Sequence, residues 1–168
     1  MFAVNTDHII AVYHGYYYKK TTVYNMLQEM IIIDEVCKVL AETSALIIRK
    51  YNIEEQEQRD YVDKIITRIG NSHLEDAVER ISRAPLRKLS RKERFIGPAA
   101  ELIEEGKLFD VLFNAAEMAF RFQNMEGNGE NDEMAKIMKD NKAEAVVKKV
   151  CGLTSSDKLY VVEIVKKC

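Results

Sequence analysis

Ile33-Asp34-Glu35-Val36-Cys37-Lys38-Val39-Leu40-Ala41-Glu42-Thr43-Ser44-Ala45-Leu46-Ile47 decides the fold class of this chain. Ile33, Val36, Cys37, Leu40, Ser44 and Ile47 recur at intervals of three and four, the period of one face of an α-helix. The spacing predicts one long helix from about Met26 to Arg49. The same period returns downstream. Val62, Ile65, Ile66 and Ile69 mark a second helix, opened by Glu54, Glu55 and Glu57 at the positive end of its dipole and stopped by Gly70. Leu112, Ala115, Ala116, Ala119 and Phe122 give a third. Met134, Ile137 and Met138 begin a fourth region that continues, with a break, to Val150. Thr154 to Asp157 supplies cap residues for a last helix from about Lys158 to Lys167.

No segment alternates convincingly with period two. Tyr160-Val161-Val162 has strand character but no second strand to pair with. Both prolines, Pro85 and Pro98, fall in an irregular middle region, and Gly127-Asn128-Gly129 opens a polar loop. The expected fold class is all-α, and 168 residues allow a single domain over the whole chain, 1–168.

Composition narrows the function classes. With 47% apolar and 31% charged residues, the chain has the balance of a soluble globular protein rather than a disordered or membrane-embedded one. No apolar run approaches a membrane span, and Met1-Phe2-Ala3-Val4 is too short for a signal peptide's apolar region. Cys37, Cys151 and Cys168 have neither disulfide-like nor metal-like spacing. They read as reduced thiols of a cytoplasmic protein, two buried and one terminal, with no metal centre. A strand followed by a glycine-rich turn, the usual cradle of a dinucleotide, is missing.

Two segments carry chemistry. Between Arg80 and Arg94 stand seven Lys/Arg and one acid, a local charge of +6 in a chain whose total is −2. Such a basic island marks either a solvated surface or an anion site. Pro85 disfavours the α conformation at Ala84, so the chain bends there, and Arg87 and Lys88 are expected to turn back toward Arg80 and Arg83. Guanidinium forks suit phosphate oxygens. Some of these arginines would instead pair with Glu75, Asp76 or Glu79. Near the amino end, Asn5 and His8 share a helical face at i, i+3, where an amide and an imidazole can hold one ligand oxygen. The plainer reading makes Asn5 or Thr6 a helix cap and His8 an early-turn residue. His14 and His73 have no such partners. The run Tyr13, Tyr16, Tyr17 and Tyr18 reads as helix packing rather than a base-stacking platform.

Taken together, Phe2-Ala3-Val4-Asn5-Thr6-Asp7-His8 and Val78-Glu79-Arg80-Ile81-Ser82-Arg83-Ala84-Pro85-Leu86-Arg87-Lys88-Leu89-Ser90 resemble the mannitol dehydrogenase group of the polyol-specific long-chain dehydrogenases/reductases. The flanking Gly70-Asn71 and Ile96-Gly97-Pro98, the Asn114 to Phe122 helix and Cys151-Gly152-Leu153 extend the likeness over almost the whole chain. The resemblance implies a multi-helical C-terminal substrate domain, working with an N-terminal Rossmann domain that binds NAD. It implies interconversion of mannitol 1-phosphate and fructose 6-phosphate, with Asn5 and His8 as catalytic residues holding the reacting oxygen. It also implies that Arg80, Arg83, Arg87 and Lys88 bind substrate, Arg83 being the best phosphate ligand and Arg87 a weaker one. The family motif sets a lysine five residues before its asparagine, one position ahead of Met1. Lys19 and Lys20 cannot substitute, since Lys19 lies about 21 Å along a helix from Asn5. The chain alone is therefore expected to be inactive.

Two alternatives stay open on these residues. One is a family member acting on unphosphorylated mannitol or a sugar acid. The other is a non-enzymatic helical module that docks an acidic partner through the basic island. In that second alternative the docked partner could also be a nucleic acid, although the overall charge does not favour one, and the lack of a long apolar run leaves no membrane partner expected.

Overall fold

Helix α1 (Ala3–Tyr17) carries Ile9, Ile10, Ala11, Val12 and Tyr13 in succession, and all five are buried. A helix apolar on every side at its middle must be enclosed by other elements. In the computed structural model it is enclosed by α2 (Val23–Leu27), α3 (Met30–Tyr51), α4 (Glu55–Ile69) and α5 (Val78–Ile81). The structure describes residues 3–72, 78–107, 110–122, 129–154 and 156–157. Among them there is no strand, and the fold is all-α. The chain divides into two compact units, residues 1–82 and 83–168.

The first unit corrects the expected long helix. Helicity is interrupted at Gln28 and Glu29, so α2 and α3 are separate. Thr22 caps α2, its Oγ1 accepting from the Asn25 N–H at 3.3 Å, and Glu29 is extended at φ −85°, ψ 118°. No glycine or proline marks the break. Packing imposes it: Met26 lies fully buried against Gly15 of α1, where a β-carbon would collide with its side chain. The buried face of α3 is also rotated from the expected one. It consists of Ile32, Val36, Val39, Leu40, Thr43 and Leu46, while Ile33, Ser44 and Ile47 are half-buried and Cys37 is exposed. The expectation of a buried Cys37 therefore fails. Three consecutive isoleucines, 31 to 33, leave the helical phase ambiguous, and contacts with α1 and α2 choose Ile32. The second predicted helix is observed as α4, ended by Gly70, whose N–H donates to Ile66 O. Buried Gln58 ties it to α3 through its Nε2, which donates to Ser44 Oγ at 3.0 Å.

In the second unit, α6 (Pro85–Lys88) leads through a run of turns into α7 (Ile96–Glu104), α8 (Asp110–Arg121), α9 (Gly129–Asp140) and α10 (Ala143–Cys151). The middle region is less irregular than expected. Pro85 is the first residue of α6, and Pro98 lies in the first turn of α7, where a missing N–H costs nothing. Helix α7 packs on α8, whose buried Leu112, Ala115, Ala116 and Ala119 follow the predicted face. The predicted fourth region divides as expected, into α9 and α10. Gly152 ends α10 at φ 65°. Beyond it, the Thr154 N–H donates to Asp157 Oδ2 at 2.9 Å, the reciprocal contact of a helix-start box. The helix predicted to follow, at 158–167, lies outside the described residues, as do Cys168, His73, Glu75 and Asp76.

Candidate functional site

The basic island divides into four groups by environment. Arg80, Arg83, Arg87 and Lys92 are exposed. Arg91 is committed to structure: its Nε donates to Asp157 Oδ1 at 3.2 Å and a terminal nitrogen pairs with Glu104 at 3.4 Å. Arg94 is half-buried, with Nε 3.8 Å from Glu93 Oε2. Lys88 stands apart, only 3% exposed.

Local geometry explains Lys88. Ala84 adopts the left-handed conformation, φ 58° and ψ 54°, which an alanine enters at a cost of about 1–2 kcal/mol. This is the bend that Pro85 was expected to produce. Pro85 then opens a single helical turn, and Lys88 closes it, its N–H donating to Ala84 O at 3.2 Å. Pro85, Lys88 and Leu89 share one face of that turn at i, i+3, i+4, and all three are buried. Arg87 lies off that face and is exposed. The expectation that Arg87 and Lys88 turn the same way is thus corrected.

Burial, reinforced by the positive charges of Arg94 and Arg87, pulls the Lys88 ammonium down to about 7 from its ordinary 10.5; Glu130 and Glu93 act in the opposite sense. Glu130 is the residue that sequence reading missed. It lies in the first turn of α9, and α9 packs against α6. Nothing in the local sequence pairs it with a lysine 42 positions earlier.

Asn5 and His8 both lie in α1, so the backbone puts them on one helical face. The Asn5 side chain lies outside the described residues; His8 is half-buried. Because α1 already includes Ala3, Asn5 and Thr6 sit within its first turns, and Thr6 is fully buried. That overturns the capping alternative. Helix α5, which carries Arg80, packs against α1. The Val78 N–H donates to Thr21 O at 3.4 Å, fixing the start of α5 beside the connection from α1 to α2. Within the first unit, Arg80 is therefore held by an element in contact with the helix of Asn5 and His8. His14, later on α1, is half-buried, and burial lowers its proton affinity, partly offset by Glu35. Tyr13 is buried as packing requires, whereas Tyr18 is 46% exposed.

A cleft of about 290 Å3 separates α3 from α4, lined by Cys37, Leu40, Ser44, Ile48, Val62 and Ile66 among others, and it includes none of the predicted site residues. Among the described residues, no group of three or more His, Cys, Asp or Glu side chains converges to hold a metal. Nor is any of their helices long and apolar enough to cross a membrane. Among the described residues there is no strand leading into a glycine-rich turn, the usual cradle of a dinucleotide.

The described residues are those of an all-helical domain that carries Asn5 and His8 in one helix and a graded set of cations from Arg80 to Arg94. Residues 1–166 match the family described as the mannitol dehydrogenase C-terminal domain, and the chain belongs to that family. It is 66% identical over 169 aligned positions to the mannitol-1-phosphate 5-dehydrogenase of Sclerotinia sclerotiorum, an alignment covering 99% of this chain and 43% of the relative. Enzymes of the same name from Podospora anserina and Neurospora crassa are 61% and 60% identical, again over 99% of this chain and 43% and 42% of their own lengths. The chain thus spans less than half the length of the curated relatives it matches.

Proposed function

We propose that this chain is the substrate-binding and catalytic domain of an NAD-linked mannitol-1-phosphate 5-dehydrogenase, interconverting mannitol 1-phosphate and fructose 6-phosphate. The observation that carries the reading is identity of 60–66% with enzymes so named, sustained over 99% of the chain. The dinucleotide would be held by a separate Rossmann domain.

The roles follow from chemistry. The Asn5 amide and His8 imidazole hold the reacting oxygen, and their rigid helical spacing preorganises them for the charge that develops there. Arg83 and Arg80 offer exposed guanidinium forks to the phosphate, with Arg87 a weaker contributor. Lys88 supplies a compact cation from below the surface. A dianionic phosphate explains this concentration of positive charge better than a neutral polyol does.

The test is Arg83→Ala in the intact enzyme. Losing a charge-assisted contact worth about 1.5–3 kcal/mol should lower kcat/KM for mannitol 1-phosphate by roughly ten- to a hundred-fold. Turnover of unphosphorylated mannitol should barely change. An equal loss on both substrates overturns the phosphate assignment. Substitution of His8 by Gln should instead fall mainly on kcat.

A further inference from the structure

One buried carboxylate has no role in the reading above. Glu130 Oε2 is fully occluded and accepts no hydrogen bond among the described residues. An acid in the first turn of a helix is favoured by the helix dipole. Solvent-facing rotamers would give that benefit while keeping both oxygens hydrated, so occlusion of one oxygen needs another cause. Its neighbour Asn131, fully buried, donates through Nδ2 to Phe122 O at 3.3 Å, while its Oδ1 is likewise occluded and accepts no hydrogen bond among the described residues. Helix α9, which carries Glu130, packs against α6, which carries the buried Lys88.

We propose that Glu130 is a positioning residue acting through Lys88: its half-buried carboxylate, brought against α6 by α9, keeps the Lys88 side chain in its ammonium form for substrate. The inference rests on the substrate-binding role given to Lys88. The charges acting on Lys88 come from several directions. Arg87 on α6 and Arg94 in the following turns disfavour its proton; Glu93 in those turns and Glu130 on α9 favour it. Helix α10, also packed against α6, buries Val146, Val147, Val150 and the Cys151 thiol, with no charged residue among its buried side chains. Glu130 is therefore the one carboxylate that a helix packed on α6 brings to Lys88 among the described residues. Without it the lysine would face two arginines, and it would lose its proton below neutral pH.

The test follows Lys88 directly. With lysine labelled at 13Cε, its resonance (assigned with Lys88→Arg) is titrated in the unsubstituted protein and in Glu130→Gln. Removing an opposing charge of this kind should lower the midpoint by about one pH unit. In Glu130→Asp the midpoint should recover most of that loss. In the intact enzyme, KM for mannitol 1-phosphate in Glu130→Gln should rise about three-fold near pH 6.5 and match the parent above pH 8.5, where both lysines are neutral. A Lys88 midpoint unmoved by Glu130→Gln overturns the proposal, whatever KM does. A moved midpoint with unchanged KM keeps the pairing but removes Lys88 from substrate binding. If Glu130→Gln does not fold, the Glu130 13Cδ resonance of the unsubstituted protein decides: it must show an inflection at the Lys88 midpoint, and a flat response there overturns the pairing.

Discussion

At Lys88 the substrate-binding role proposed for it and the stability of the fold pull against each other. Even with Glu130 and Glu93 nearby, the folded state disfavours the Lys88 ammonium, because its affinity for the proton falls to about 7. Charging it in the folded protein therefore costs free energy that an apolar side chain of similar length would not. Lys88→Met should stabilise the protein by about 1–3 kcal/mol at pH 7, an effect that urea denaturation would read. The gain should shrink toward pH 10.5 as the parent lysine becomes neutral in both states, and the loss of substrate affinity should be confined to pH values at which the parent lysine is charged, below about 8. The sequence grouped Lys88 with Arg80, Arg83 and Arg87 and gave no sign that it alone is buried. What separates it from Arg87 is the one-turn helix opened by Pro85, and a four-residue helix leaves too little periodicity to be read. Ala84 in the left-handed region was equally hidden, since proline restricts its predecessor without forcing a positive φ.

At the level of elements, the approach of α1 to α2 through Gly15 and Met26 yields a prediction with a change of sign. Replacing a helical glycine by alanine ordinarily stabilises, by up to about 1 kcal/mol in a helix interior and by less in a last turn such as that of Gly15. Here the new methyl group meets the fully buried Met26 side chain, so Gly15→Ala should destabilise by about 1–3 kcal/mol. On a Met26→Ala background, the same substitution should become stabilising. A double-mutant cycle by thermal or urea denaturation checks this, and additive effects would show that the contact is unimportant. The same contact explains why α2 and α3 could not be told apart beforehand. Local signals run unbroken from Met26 to Arg49, and only the partner helix imposes the interruption. Helices α4, α8, α9 and α10 were legible because each carries one clear apolar face. Helix α7 was missed because Gly97 and Pro98 at its start resemble a loop.

Across the whole molecule, two buried bases give pH dependence of one sign. His14 binds its proton less tightly folded than at its ordinary 6.5, and Lys88 has fallen to about 7 from 10.5. In both cases the unfolded chain holds more protons than the folded one, so stability rises with pH through each window. The rise from His14 lies below 6.5, and that from Lys88 runs from about 7 to 10.5. Urea midpoints should climb from pH 5.5 to pH 9.5 instead of peaking near neutrality. His14→Gln should flatten the lower part of the curve and Lys88→Met the upper part. A further consequence lies in where the chain divides. The boundary between the two compact units falls between Ser82 and Arg83, and Arg80 and Arg83 are exposed on either side of it. Trypsin should therefore cut first after one of these arginines, ahead of buried Lys88 and tethered Arg91, releasing two fragments of nearly equal mass.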